Sequence, residues 1–236
     1  HERYVAPLII VLTTSFSNRQ LRFINMITFH TNCTPRMQQR IHKCCQHAFE
    51  IVHDKLKLTA EPDFYFFKTS QQPIGNETLT GFSQESGVII CQFFKVNFCD
   101  QELLAFLMHE LNHIRQGQVF SIEQHPTLFN WMLAEGLAVT FEQELGLKTT
   151  LLSPQPDDST LRAGLQQIIT ISDTNNWNHY DWFYNFDRQA DLPINFAYHI
   201  GRWLVTEFCV YYKIQPSQAL DYQLTDFLRF AEVLCA

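Results

Sequence analysis

The chain has 236 residues, a formal net charge of −7 at pH 7 and 46% hydrophobic residues, enough to bury one sizeable core. The acidic balance argues against a nucleic-acid partner, because phosphate contacts need clustered Lys and Arg and no basic run here exceeds a couple of residues. The longest apolar stretch near the start, Ala6 to Leu12, is far short of a membrane span.

In chain order, Tyr4 to Leu12 reads as a strand and Leu21 to Phe29 as strand or irregular structure. Thr34-Pro35 is an N-cap followed by a first-turn proline, opening a helix to about Leu56 with the stripe Ile41, Cys45, Ala48 and Val52. Asp63 to Lys68 and Val88 to Phe94 read as strands, Gly75-Asn76-Glu77 as a turn, and Gly81 to Ile90 as a candidate sheet edge. Helices follow over 101–116, 127–145, 159–171, 193–213 and 216–234. Asp100 starts the first of these, Gly117 is its expected stop, Pro126 is the starter of the second and Pro193 of the fourth. The economical division is one domain over 1–236, with 1–118 and 119–236 as subdomains flanking a cleft.

His109-Glu110-Leu111-Asn112-His113 is an H-E-x-x-H motif within an apolar helical pattern set by Leu103, Leu107, Leu111 and Ile114. Residues four apart stack on one helix face, so His109 and His113 can offer one metal two imidazoles. Glu110 is rotated by about 100° and can reach a water rather than the metal. A catalytic zinc takes three protein ligands and keeps one position open. The third must therefore come from another element. Glu135, in Ala134-Glu135-Gly136-Leu137-Ala138, is one candidate, since a carboxylate among Leu128, Met132 and Val139 is costly unless paired or metal-bound. Glu142, one heptad on, can ligate or instead support a histidine N–H; Glu144 and Glu123 are further candidates, and Glu135 could pair with Arg202.

Three stretches resemble the gluzincin metallopeptidases, and more narrowly a bacterial domain-of-unknown-function family of predicted zinc-dependent proteases. They are Leu107 to His113 with Arg115 behind it, Leu133 to Ala138, and Leu192-Pro193 followed by Ala197-Tyr198-His199-Ile200-Gly201-Arg202. Gly81-Phe82-Ser83 leading into Val88-Ile89-Ile90 resembles the strand before the active-site helix. The likeness spans about residues 60 to 230. It implies His109, His113 and Glu135 as zinc ligands and Glu110 as general base. The order of the expected elements is itself an α+β, zincin-like plan: a small N-terminal mixed sheet with an active-site helix, then a mainly helical C-terminal part. Ala197 stands where the family usually has glycine. Val139 stands where better-known gluzincins often carry an aspartate, so outer support for the ligands falls to Glu142 or Asn112.

The expected activity is hydrolysis of a peptide or protein substrate with Zn2+. The alternative is a metal-binding regulatory or interaction protein without turnover. Tyr198 is the candidate oxyanion stabiliser, with His199 as the other choice and Arg202 as its i, i+4 neighbour; the contrary reading makes Tyr198 a buried aromatic only. Gly201 in mid-helix suits close approach by another backbone or by the substrate. Trp177, Tyr180, Trp182, Phe183, Tyr184 and Phe186 either wall a substrate pocket or fill the core under a loop. Seven cysteines, at 33, 44, 45, 91, 99, 209 and 235, form no C-x-x-C pair, and a reducing, cytoplasmic setting is expected. Cys44, Cys45 and His47 read as helix packing rather than a second metal site. No signal peptide is legible, although an opening on His1 is what removal of a leader would leave.

Overall fold

The computed structural model describes residues 26–30, 33–69, 79–84, 86–93, 98–120, 127–147, 154–171, 177–185 and 190–236. The strand expected at Tyr4 to Leu12, the turn at Gly75-Asn76-Glu77, and Glu123, Pro126 and Phe186 lie outside them. The elements are β1 (Met26–Phe29), α1 (Pro35–Leu56), β2 (Asp63–Lys68), β3 (Leu79–Gln84), β4 (Val88–Phe93), α2 (Asp100–Phe120), α3 (Leu128–Glu144), α4 (Asp158–Ile171), α5 (His179–Phe183) and α6 (Phe196–Tyr212). A short 3-10 segment (Pro216–Asp221) and α7 (Leu224–Cys235) complete the chain. The protein is thus α+β, with a small mixed sheet first and helices after it.

The sheet has the order β1-β2-β4-β3. β1, β2 and β4 run parallel, and β3 is antiparallel to β4 at the edge. The candidate edge over Gly81 to Ile90 is therefore a hairpin whose first strand is the edge. Gly87 makes the turn at φ +94°, with its N–H bonded to the Gln84 carbonyl. On one face Phe64, Phe66, Ile89, Cys91 and Phe93 are buried, while the residues between them are partly exposed, the period-two pattern of a sheet covered on one side. Cys45 of α1 and Glu110 of α2 both lie near enough to Cys91 to be felt by its thiol, which puts these helices on that face.

α1 is capped as its sequence requires: the Thr34 hydroxyl accepts from the Met37 N–H and Pro35 opens the first turn. At its other end Arg115 of α2 donates to the Leu56 carbonyl at 2.7 Å, placing a cation on the negative end of the helix. α2 runs through Gly117 to Phe120 instead of stopping there. Gln116 and Phe120 are buried, so tertiary packing outweighs the roughly 1 kcal/mol a mid-helix glycine costs. The helix expected from Pro193 begins at Phe196, because Asn195 takes a left-handed conformation at φ 56°. The Asn185 side chain holds the preceding loop through the carbonyls of Ala190 and Leu192. The span 216–234 is a 3-10 segment and a separate helix, divided where Tyr222 is extended. Glu144 fixes the start of that segment by accepting from the Ser217 N–H and hydroxyl while pairing with Lys55.

α3 is apolar on nearly every face and buried along almost its whole length. It crosses α6 with backbone against backbone. A Cβ on Gly136 would lie 2.3 Å from the Gly201 carbonyl carbon, and one on Gly201 would lie 2.1 Å from the Met132 oxygen. Two glycines on two helices are thus required by one contact. If either site had room, alanine would stabilise its helix by up to about 1 kcal/mol. Instead Gly201→Ala and Gly136→Ala are each expected to destabilise by about 1–3 kcal/mol or more through overpacking, read as a lower denaturant midpoint.

Candidate metal centre

α2 presents His109 and His113 on one face, and α3 brings Glu135 against them. The Nε2 atoms of the two histidines are 3.0 Å apart. Glu135 Oε2 is 3.0 Å from His109 Nε2, and its Oε1 is 3.6 Å from His113 Nε2. His109, His113 and Glu135 offer donor atoms within 4.8 Å of one another, and among the described residues they are the one such group. Three donors around a tetrahedral zinc at about 2.0–2.2 Å stand about 3.3 Å apart, so the observed spacing suits that ion.

Hydrogen bonding points the same way. Glu142 Oε1 is 2.6 Å from His109 Nδ1. A carboxylate can only accept, so the Nδ1–H donates and Nε2 is the nitrogen that faces inward. There it meets a second imidazole nitrogen and a carboxylate oxygen, acceptors that repel unless a proton or a cation lies between them. Glu142 therefore stands as the outer support of His109, the arrangement that orients a ligating imidazole and raises its basicity.

The charges are tightly coupled. Burial alone would lower His109, but its hydrogen bonds and charge interactions with Glu135 and Glu142 hold it well above the ordinary histidine value. Burial would raise Glu135, yet the charge and hydrogen bonds of His113 and His109 bring it well below the usual carboxylate range. Burial pushes Glu142 up, and the charges of Glu135 and Glu110 add to this against the pull of His109. Glu110 itself is buried, and one of its carboxylate oxygens has no hydrogen-bond partner among the described residues. Its charge adds to burial in raising the neighbouring Cys91 thiol.

The remaining candidates are not part of the donor group. Asn112 turns away from the metal donors and accepts from Gln116 Nε2 at 2.6 Å. Gln116 also donates to the Ala134 carbonyl at 2.9 Å, tying α2 to the peptide just before Glu135. Sequence reasoning missed Gln116, although its place one turn after Asn112 was a usable signal. Glu144 serves the Ser217 cap and Lys55. Tyr198 is buried on α6, edge-on to Phe183 at 5.5 Å. His199 is fully buried, and neither ring nitrogen has a partner among the described residues. Arg202 is partly buried, and its charge acts on His199 rather than on Glu135. Cys45 is packed in the core, while Cys44 and His47 line a separate cleft of about 720 Å³ with Arg36, Arg40 and Lys43.

Residues 31–229 match the family described as predicted Zn-dependent protease (DUF2268). The chain belongs to that family. No match was found among the curated proteins or among the solved structures. Within the matched residues, the H-E-x-x-H and E-G-x-A stretches supply the histidines and the glutamate of the cluster, and the glycine beside Glu135 is the one pressed against α6.

Two measurements follow. Glu142→Gln is expected to weaken zinc affinity about 10- to 100-fold, and the pair His113→Ala plus Glu135→Ala to abolish binding, in titrations against a competing chelator. His199 is lowered from 6.5 to about 4 by burial and by Arg202. The unfolded chain therefore binds a proton there first as pH falls. Stability contributed by the neutral ring is full above pH 6.5 and is lost as pH drops from about 6.5 toward 4. Denaturant midpoints taken across that window should fall less steeply in His199→Phe than in the wild type.

Proposed function

We propose that this protein is a zinc-dependent peptidase in which Glu110 is the general base. The observation that carries the reading is a buried Glu110 oxygen without a partner among the described residues, close to three converging donors. A site that only stabilises the fold closes with four protein ligands and has no need of such a carboxylate. A zinc ion held by His109, His113 and Glu135 supplies Lewis acidity, which brings the pKa of a water near neutrality.

The chain's own groups perform the proton chemistry. Glu110 takes a proton from the attacking water as its oxygen bonds to the carbonyl carbon. It returns that proton to the nitrogen as the C–N bond breaks, so carboxyl and amine products balance. Glu142 keeps the His109 ring in the tautomer that turns Nε2 inward. Tyr198, on the helix that crosses α3, is the proposed partner for the developing oxyanion.

The substrate is read as a peptide. Among the described residues β3 is the antiparallel edge of the sheet, and its Gly81 lies against Phe106 of α2, one turn before His109. An extended peptide can add to such an edge through main-chain hydrogen bonds and pass over the site. The sequence carries no clear anchor for a free α-amino group, which favours endopeptidase action. Seven unpaired thiols suit a reducing, cytoplasmic setting. No helix of the described residues is long and apolar enough to cross a membrane.

Glu110→Gln separates the peptidase from a metal-binding protein without turnover. The variant is expected to retain zinc while cleavage of a peptide library falls about 10²- to 10⁴-fold. Equal cleavage by both proteins, or none by the zinc-loaded wild type, would remove the assignment.

A further inference from the structure

The aromatic residues around α5 divide into two groups. Trp182 and Phe183 are buried, and Trp182 stacks on Phe196 of α6 as part of the core. Trp177, Tyr180 and Tyr184 are only partly covered, and His179 is exposed. The His179 ring lies flat on Phe183, with centroids 4.3 Å apart and planes 10° apart. It meets Trp131 edge-on at 6.0 Å and has Tyr184 at 5.8 Å and Trp177 at 6.3 Å.

Trp131 connects this group to the metal centre. It precedes Glu135 by four residues on α3, so the two side chains are neighbours on one helix face. On the far side, Phe183 meets Tyr198 edge-on. Burial lowers His179 while the Glu135 charge pulls it back up, so the ring also lies within the field of that carboxylate. Trp131 and Trp177 pack against the core and stay partly open, and the exposed His179 ring, flat-backed by a buried phenylalanine, lies between them, one helical turn from a metal donor.

We propose that Trp131, Trp177 and His179 form a substrate subsite that takes an aromatic side chain next to the scissile bond. The inference rests on the peptidase reading and gives it a substrate class. Stacking between rings is sensitive to geometry and adds to plain burial. The backing by Phe183 holds His179 without further ordering when a ligand ring arrives. His179 acts here as a ring, not as a proton carrier.

The test needs no turnover. The zinc-loaded protein is titrated calorimetrically with acetohydroxamate and with phenylacetohydroxamate, which share a metal-binding head and differ by one ring. The wild type is expected to bind the aromatic compound at least tenfold more tightly. Trp131→Ala and His179→Ala should shrink that ratio to about threefold or less without changing affinity for acetohydroxamate. His179→Phe keeps a ring on Phe183 and should keep the ratio, whereas a loss there would assign the effect to a ring nitrogen and overturn the proposal. A wild-type ratio near one, or a ratio untouched in both alanine variants, overturns it as well. If the ratio behaves as expected but no peptide is cleaved, the subsite stands and the peptidase reading falls. Where cleavage occurs, the same alanine variants should lose the preference for aromatic residues beside the cut.

Discussion

Glu135 and Glu142 of one helix grip both nitrogens of a histidine on another, and the arrangement of the whole site follows from that clasp. Three ionisable groups are buried together, a costly state unless every lone pair and proton is matched. Matching fixes the rotation of α3 about its axis, because the two carboxylates must both point at His109. It also fixes the position of α3 along α2. The Gln116 bond to the Ala134 carbonyl adds a neutral contact at the same register. A helix that is apolar nearly all round has little else to specify its orientation, so the polar clasp supplies the specificity and the apolar surface supplies the stability.

The clasp would be loose if α3 could shift on its other side. Gly136 and Gly201 remove that freedom by letting α3 and α6 touch backbone to backbone. Glu135 therefore sits between two constraints on adjacent residues, a hydrogen-bonded carboxylate and a glycine with no space for a side chain. The same crossing carries Tyr198 on α6 toward Phe183, so the aromatic group around α5 is positioned through the glycine contact as well. Sheet, clasp and aromatic shelf are mechanically linked: β3 lies on α2 through Phe106, α2 holds α3, and α3 holds α6.

Much of this was legible from residue spacing. The i, i+4 histidines, the capped start of α1 and the alternation in β2 and β4 are local patterns, and local patterns survive in a linear sequence. The expected element limits failed where distant contacts decided them. Gly117 did not end α2 because Gln116 and Phe120 had partners to bury against. Pro193 did not open α6 because Asn195 turned left-handed after a loop pinned by Asn185. α5 went unread because five residues rich in rings carry no helical period of their own.

The sequence by itself determined that two imidazoles and a neighbouring carboxylate share one helix, since helical geometry converts spacing into direction with no outside help. It also narrowed the third donor to Glu135, with Glu142, Glu144 and Glu123 as the other candidates. Only the tertiary structure shows where these acids lie, with Glu135 beside both Nε2 atoms and Glu142 on the far side of the His109 ring. The reason is physical: two acids a heptad apart share a face, and which of them meets a given nitrogen depends on the axial offset of one helix against another. That offset is set by packing between residues far apart in the chain, and spacing along one helix carries no record of it.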